Sequence, residues 1–133
     1  MYERDLELFN DSIERCSGRP EFLRRFYSLF VASSEEVARK FESTDMRKQA
    51  RLLKTSLYTM MIASGESERD VHLERLARRH SRAELDVRPG LYDLWLERLL
   101  QAVGEFDPLF DSETETAWRN VLQPGIDFMK SRY

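Results

Sequence analysis

Apolar residues in this chain recur every three or four positions almost from end to end. A helix can gather such residues on one face, whereas a strand alternates its faces every two residues. Met46, Gln49, Ala50, Leu53, Leu57 and Met60 share one side of a helix at this spacing. The same holds for Leu73, Leu76, Ala77 and His80, for Leu91, Tyr92, Trp95, Leu99 and Val103, and for Trp118, Leu122, Ile126 and Met129. Only 5 Gly and 4 Pro interrupt 133 residues. The pattern therefore predicts an all-α fold in one domain, residues 1–133, with no internal repeat, low-complexity tract or linker.

The punctuation sets the expected helix limits. A first helix covers about 3–16 and stops near Ser17-Gly18-Arg19, and Pro20 opens a second that runs to about Ala32. Ser33 stands three residues before Glu36 as a capping box and starts a short helix ending near Phe41. Thr44 is expected to cap a long helix reaching about Ala63. Ser64-Gly65-Glu66-Ser67 reads as a loop, followed by a helix over 68–82. A turn containing Asp86 and Pro89 leads into a helix over 89–105, and Gly104 to Asp111 ends it. Ser112 with Glu115 forms a second capping box, and Pro124 should kink or divide the helix it opens.

Charge and composition remove several classes of function. Lys and Arg number 21 against 24 Asp and Glu, a formal charge of −3, which offers no broad positive field for nucleic acid. No apolar run approaches the roughly 20 residues of a membrane span. The segment Met1-Tyr2-Glu3-Arg4-Asp5 is charged and has no apolar stretch after it, so no secretory leader is expected and a cytoplasmic location fits. With 1 cysteine, Cys16, neither an internal disulfide nor a cysteine-based zinc site is expected. Cys16 reads as a small packing residue.

Candidate chemistry is sparse. The carboxylates sit mostly on polar helix faces beside arginines, and no pair stands out as general acid and base. Nucleophile motifs and a phosphate-binding glycine loop are missing. The 2 histidines, His72 and His80, are eight residues apart and do not form the i, i+4 pair that chelates a metal from one helix. His72 reads as solvated. His80, on an apolar helix face, is open to two readings, a packed core side chain or a ligand.

An ordered set of residues decides between them by resemblance. Phe26-Tyr27, Phe41, Gln49, Leu53, Leu76, His80, then Val87-x-Pro89-x-x-Tyr92-x-x-Trp95, and finally Trp118 resemble the pattern of bacterial single-domain globins and of the globin domain of flavohaemoglobins. The likeness extends from about Phe22 to the end of the chain. It implies a three-over-three helical sandwich and haem b as cofactor, with His80 as the proximal ligand of the haem iron. It implies Phe41 as a ring on the haem face, and Tyr27 with Gln49 as the distal polar pair beside apolar Leu53. Phe30, Leu57, Leu76, Val87 and Tyr92 would complete the wall, and Arg79 would pair with a haem propionate. Haem is an apolar disc with two carboxylates at one edge, so its pocket needs mainly Leu, Phe and Val, one ligand and a few placed polar groups.

Three departures from the pattern stand out. The corner between Phe41 and Gln49 is about two residues shorter than in flavohaemoglobins, which makes Met46 an alternative to Gln49. Trp95 stands where Val or Leu is usual on the distal side, so the ligand cavity should be narrower, or an indole N–H should join the donors. The final helix lacks the glutamate that strengthens the proximal histidine in flavohaemoglobins, and the aligned position falls near Tyr133. No reductase domain follows, so turnover would draw on an external electron donor.

The resemblance thus implies a haem protein whose ligands are oxygen, nitric oxide or carbon monoxide. It would act as a carrier, scavenger or sensor of oxygen, with no nucleic-acid or membrane partner, and homodimerisation stays open. Two alternatives accompany it. One is nitric oxide dioxygenation with an outside reductase, and the other is a helical interaction module that keeps the fold without haem.

Overall fold

The computed structural model describes residues 2–64 and 71–133, with the side chains at 63, 64 and 72 left aside. Among the described residues the chain forms seven helices and no strand: α1 (Tyr2–Ser17), α2 (Glu21–Ala32), α3 (Glu35–Phe41), α4 (Met46–Ser64), α5 (Val71–His80), α6 (Gly90–Phe106) and α7 (Ser112–Ser131). No helix among these residues is long and apolar enough to cross a membrane. The loop expected at Ser64–Ser67 falls outside the described residues except for Ser64, which ends α4. The expected solvation of His72 concerns a side chain that also lies outside them.

Each helix start expected from a serine or threonine shifts by one residue. Ser34, not Ser33, caps α3: its backbone is extended (φ −163°, ψ 136°) and its Oγ accepts a bond from Glu36 N at 3.2 Å. Ser33 instead donates to Phe30 O at 2.6 Å and closes α2. Asp45 replaces Thr44 as the cap of α4, its carboxylate accepting from Arg47 N at 3.1 Å and Lys48 N at 3.2 Å. Asp111 replaces Ser112 on α7, accepting from Thr114 N at 2.8 Å. A carboxylate at a helix N-terminus satisfies free N–H groups and also opposes the positive end of the helix dipole, which a hydroxyl does less well.

The expected breaks also move. Gly104 lies inside α6, which continues to Phe106 and ends at Asp107, where the backbone turns extended (φ −100°, ψ 106°). Pro124 does not divide α7, which runs through it with the buried residues Val121, Leu122, Gly125 and Ile126 on either side. The next residue, Gly125, admits a close approach by α4: a Cβ there would lie 2.8 Å from Met60 Cε.

Packing arranges α1, α4 and α5 over α2, α6 and α7, with α3 as the link between α2 and α4. The central helix is α7, which meets α1, α4, α5 and α6. Its Trp118 is fully buried with its ring centroid 4.5 Å from that of Phe9 on α1. Burying such rings is worth roughly 1.5–3 kcal/mol each, which lets helices of marginal intrinsic stability hold together. Cys16 packs in this core as expected, and burial pushes its thiol up to about 12.

One polar group is built into the same end of the core. Asp107 is buried and accepts bonds from Ser12 Oγ at 2.6 Å, Arg15 Nε at 2.6 Å, Arg15 Nη2 at 3.0 Å and Leu109 N at 2.9 Å. Burial by itself would raise this carboxyl, but the Arg15, Ser12 and Leu109 bonds outweigh it and hold Asp107 below its ordinary value. The cluster joins α1 to the end of α6.

At the far end, the turn after α5 is tied on two sides. Val87 N donates to His80 O at 3.0 Å, and Asp86 adopts the left-handed region (φ 53°) that aspartate tolerates better than most residues. Tyr133 donates its hydroxyl to the Asp86 carboxylate, and Arg82 lies 4.6 Å over the Tyr133 ring. On the other side Arg88 Nε donates to Glu36 on α3 at 2.8 Å.

Candidate functional site

Between the two layers lies a cavity of about 750 Å³, inside the roughly 300–1,000 Å³ range of small-molecule and cofactor pockets. Its floor is apolar. Leu53 and Met60 come from α4, Leu91 from α6, and Ile126 and Met129 from α7. These positions are the inward stripes of three amphipathic helices, so the same periodicity that builds the core also lines the cavity.

An aromatic cluster forms one end. Phe41, the last residue of α3, sits with its ring centroid 5.5 Å from Tyr27 at 66° and 6.0 Å from Phe30 at 62°. Phe26 packs between this group and Trp95, whose ring stands nearly perpendicular at 6.3 Å. Such edge-to-face pairs fix ring orientation as well as filling space. Within this wall Gln49 Nε2 donates to Tyr27 Oη at 3.3 Å. The hydroxyl lies 3.5 Å from the Gln49 backbone carbonyl, a long contact that leaves the O–H weakly held. Burial pushes the Tyr27 phenol up to about 12, with the Gln49 bond pulling modestly the other way, so it stays neutral and able to donate at neutral pH.

His80 ends α5 on a different wall. Its Nδ1 lies 2.8 Å from Leu76 O one turn earlier. A carbonyl can only accept, so the proton is on Nδ1 and Nε2 carries the lone pair. No hydrogen bond occupies Nε2 among the described residues. Burial pushes the His80 pKa down, opposed by the Leu76 bond and helped by the positive charge of Arg79, so the imidazole is neutral at pH 7. The Tyr92 ring lies 6.5 Å away. A neutral, backbone-oriented imidazole in an apolar cavity is the form in which histidine ligates a metal.

The mouth of the cavity is polar and positively charged. Lys40 and Lys48 stand there, with Arg79 paired to Glu84 at 3.3 Å. Lys40 Nζ donates to Leu85 O at 3.2 Å. Leu52 and Leu85 are exposed beside them, 51% and 42%.

The model of the globin family matches residues 25–127. Over 97% of this chain and 98% of the other, the structure is similar at a TM-score of 0.91 and 44% identity to the crystal structure of protein PA3967 from Pseudomonas aeruginosa PAO1, described as highly homologous in structure to a human haemoglobin. The chain belongs to the globin family. No curated protein matches this globin. The three-over-three arrangement read from the resemblance is that of the structure, and the likeness to a bacterial single-domain globin holds over nearly the whole chain.

The globin cavity gathers most of the residues singled out in the sequence: Tyr27, Phe30, Phe41, Gln49, Leu53, Leu76, Arg79, His80, Val87, Tyr92 and Trp95 all line it. Leu57 does not. It is 1% exposed and packs in the core between the layers, while Met60 takes the place on the wall. Met46 is likewise off the wall, so the short corner still delivers Gln49 to Tyr27. Sequence reading missed Met60, Ile126 and Met129 as wall residues because an inward apolar stripe does not distinguish a residue facing a neighbour from one facing a cavity. Leu52 and Leu85 did carry a signal, being large apolar residues on polar stretches.

Proposed function

We propose that this globin binds haem b in the cavity, with His80 as the iron ligand, and reversibly binds oxygen and related diatomic gases. The observation that supports it is the His80 ring: Nδ1 is fixed on Leu76 O, Nε2 is free, and the ring shares one cavity with the Tyr27–Gln49 donor pair. These residues fit the group by chemistry. Haem bound there supplies a ferrous iron that takes diatomic gases as ligands. The residues around it do the rest. Leu76 holds the imidazole in one tautomer and orientation, and Phe30, Phe41, Leu53, Val87 and Tyr92 present apolar surface to the macrocycle and keep water out.

On the ligand side, Tyr27 and Gln49 are donors held neutral in an apolar wall, suited to a ligand oxygen that gains partial negative charge. Each already contacts the other, so a donor can be turned to a ligand without leaving a buried group unpaired. Trp95 adds bulk to this wall. At the mouth, Lys40, Lys48 and Arg79 suit the two haem carboxylates. Arg79 is engaged with Glu84, so the two lysines share the role expected of Arg79.

Haem titration tests the reading. Wild-type protein should take up one haem, with a strong Soret band and a ferrous spectrum of histidine ligation. His80→Ala should lose that ferrous spectrum and hold haem more weakly, whereas His80→Ala with an unchanged ferrous spectrum removes His80 as the ligand.

A further inference from the structure

The cationic side chains of this globin are unevenly used. Arg15, Arg25, Arg88, Arg119 and Lys130, on α1, α2, the turn before α6 and α7, each meet a carboxylate within 3.0 Å. On α4 the pattern is different. This helix carries Arg47, Lys48, Arg51 and Lys54 and no acidic residue, all four cations are exposed, and none makes an ion pair among the described residues. Among the described residues, the carboxylate engaged with residues 47–54 is that of Asp45, which caps the backbone of Arg47 and Lys48. The chain as a whole is at −3, so everything outside α4 stands at −7 by difference.

Helical geometry makes these four residues one ridge. Arg47, Arg51 and Lys54 follow at i, i+4 and i+7, and Lys48 stands beside them. The ridge starts beside the cavity mouth and runs away from it: Lys48 and Leu52 line the large cavity, while Arg51 and Lys54 line a separate, smaller cleft of about 180 Å³ together with Arg19. Leu52, 51% exposed, stands one turn after Lys48 on the cavity side of this ridge. Concentrated positive charge flanked on its cavity side by an exposed apolar residue, on a molecule otherwise negative, is an arrangement that steers and orients a partner bearing a local acidic patch.

We infer that the outer face of α4 docks an acidic one-electron carrier protein beside the haem mouth. This rests on the haem reading above, because ferric haem iron returns to the gas-binding ferrous state only by taking an electron from another group. The carrier would supply one electron from a reduced flavin or iron–sulfur group to ferric haem iron bound in the cavity, with no bond made or broken. An extended polyanion fits the surface less well than a protein patch does. The ridge is about 10 Å long at 1.5 Å per residue, and nucleic acid or an anionic membrane would also face the −7 remainder of the molecule.

Titration of ¹⁵N-labelled, haem-reconstituted protein with a flavodoxin and with a [2Fe–2S] ferredoxin, both acidic carriers, tests the inference. Amide shifts should cluster on residues 47–54, and binding should weaken as salt is added. Arg51→Glu/Lys54→Glu, which leaves Lys48 at the mouth untouched, should weaken it by about tenfold or more with the Soret band unchanged. The milder Arg51→Gln/Lys54→Gln should fall between. Equal binding by the charge-reversed protein, shifts centred on another helix, or no binding of either carrier overturns the inference. Binding to vesicles of equal phosphatidylcholine and phosphatidylglycerol, with neither carrier bound, also overturns it and gives the face to lipid. The haem titration fails separately: loss of the Soret band refutes the cofactor, and an unmoved α4 refutes the docking face.

Discussion

Replacing Asp107 by Asn keeps the shape of the side chain and removes its charge, which isolates what the buried carboxylate does for this globin. In the native protein it accepts two bonds from Arg15, one from Ser12 and one from Leu109 N. An amide offers one acceptor oxygen and in either orientation sets its NH₂ against an Arg15 N–H, with Leu109 N beside it at one site or the Ser12 hydroxyl at the other. A hydrogen bond to a charged group is worth about 1.5–3 kcal/mol, and breaking a buried ion pair costs about 3–5 kcal/mol. The Arg15 side chain keeps 28% exposure and can turn to water, so the lower figure applies and the expected loss is about 3 kcal/mol. At about 2.1 cal/mol/K of unfolding entropy per residue, that loss lowers Tm by roughly 11 °C in a chain of this length.

The pH dependence gives a second readout. Asp107 has its carboxyl depressed in the folded state, so the unfolded state binds the proton more readily, and the stabilisation is complete above the ordinary carboxyl value near 4. It is lost as pH falls through the depressed value. Urea unfolding of wild type and Asp107→Asn at pH 7 and again between pH 4 and 2 should show a gap that is full at pH 7 and closes towards acid. A loss below about 1 kcal/mol, or a gap that does not change with pH, would show that the charge of Asp107 does not hold α1 to the end of α6.

Tyr27→Phe should raise the oxygen off-rate by about ten- to a hundredfold and alter carbon monoxide release much less, since the lost bond to a partly charged oxygen is worth about 1.5–3 kcal/mol. Gln49→Leu should act the same way more weakly; stopped-flow displacement ranks the two, and an unchanged off-rate in Tyr27→Phe removes the phenol from the ligand side. Trp95→Val should speed carbon monoxide rebinding after photolysis, and equal geminate and bimolecular rates would show that the indole does not narrow the path. Gly125→Ala should push on Met60, and with about 1 kcal/mol of helix propensity gained in return the net loss should be about 0–2 kcal/mol; thermal unfolding measures it, and Met60→Ala in the same chain should remove part of the added penalty.

The fold was legible because six of the helices show an apolar stripe or a proline or glycine boundary, and helical periodicity tolerates errors of a residue at either end. The caps were not, since Ser33 beside Ser34, Thr44 beside Asp45 and Asp111 beside Ser112 each offer two adjacent acceptors, and backbone direction selects between them. Pro124 lies inside a continuous α7, since packing of the Trp118, Leu122, Ile126 and Met129 stripe holds the two halves together despite the hydrogen bond the proline removes. At the site, His80, Phe41, Tyr27 and Gln49 were visible through family likeness more than through chemistry, as nothing local marks a lone histidine. Leu57 and Met60 lie on one stripe three residues apart, and the small rotation between them decides which faces the core and which the cavity. The charge pattern of α4 was in the sequence throughout, but its meaning depends on the absence of partners, which requires folded neighbours to judge.

The tied turn after His80 bears on how the site opens. A helix of ten residues such as α5 frays readily at its end, and His80 is its last residue. Its carbonyl is nevertheless held by Val87 N, and the same turn is tied by the Tyr133–Asp86 bond and the Arg88–Glu36 pair. Amide exchange at the end of α5, in the turn and at the end of α7 should therefore share one opening free energy, and the histidine should leave the pocket only when that whole segment unfolds as a unit.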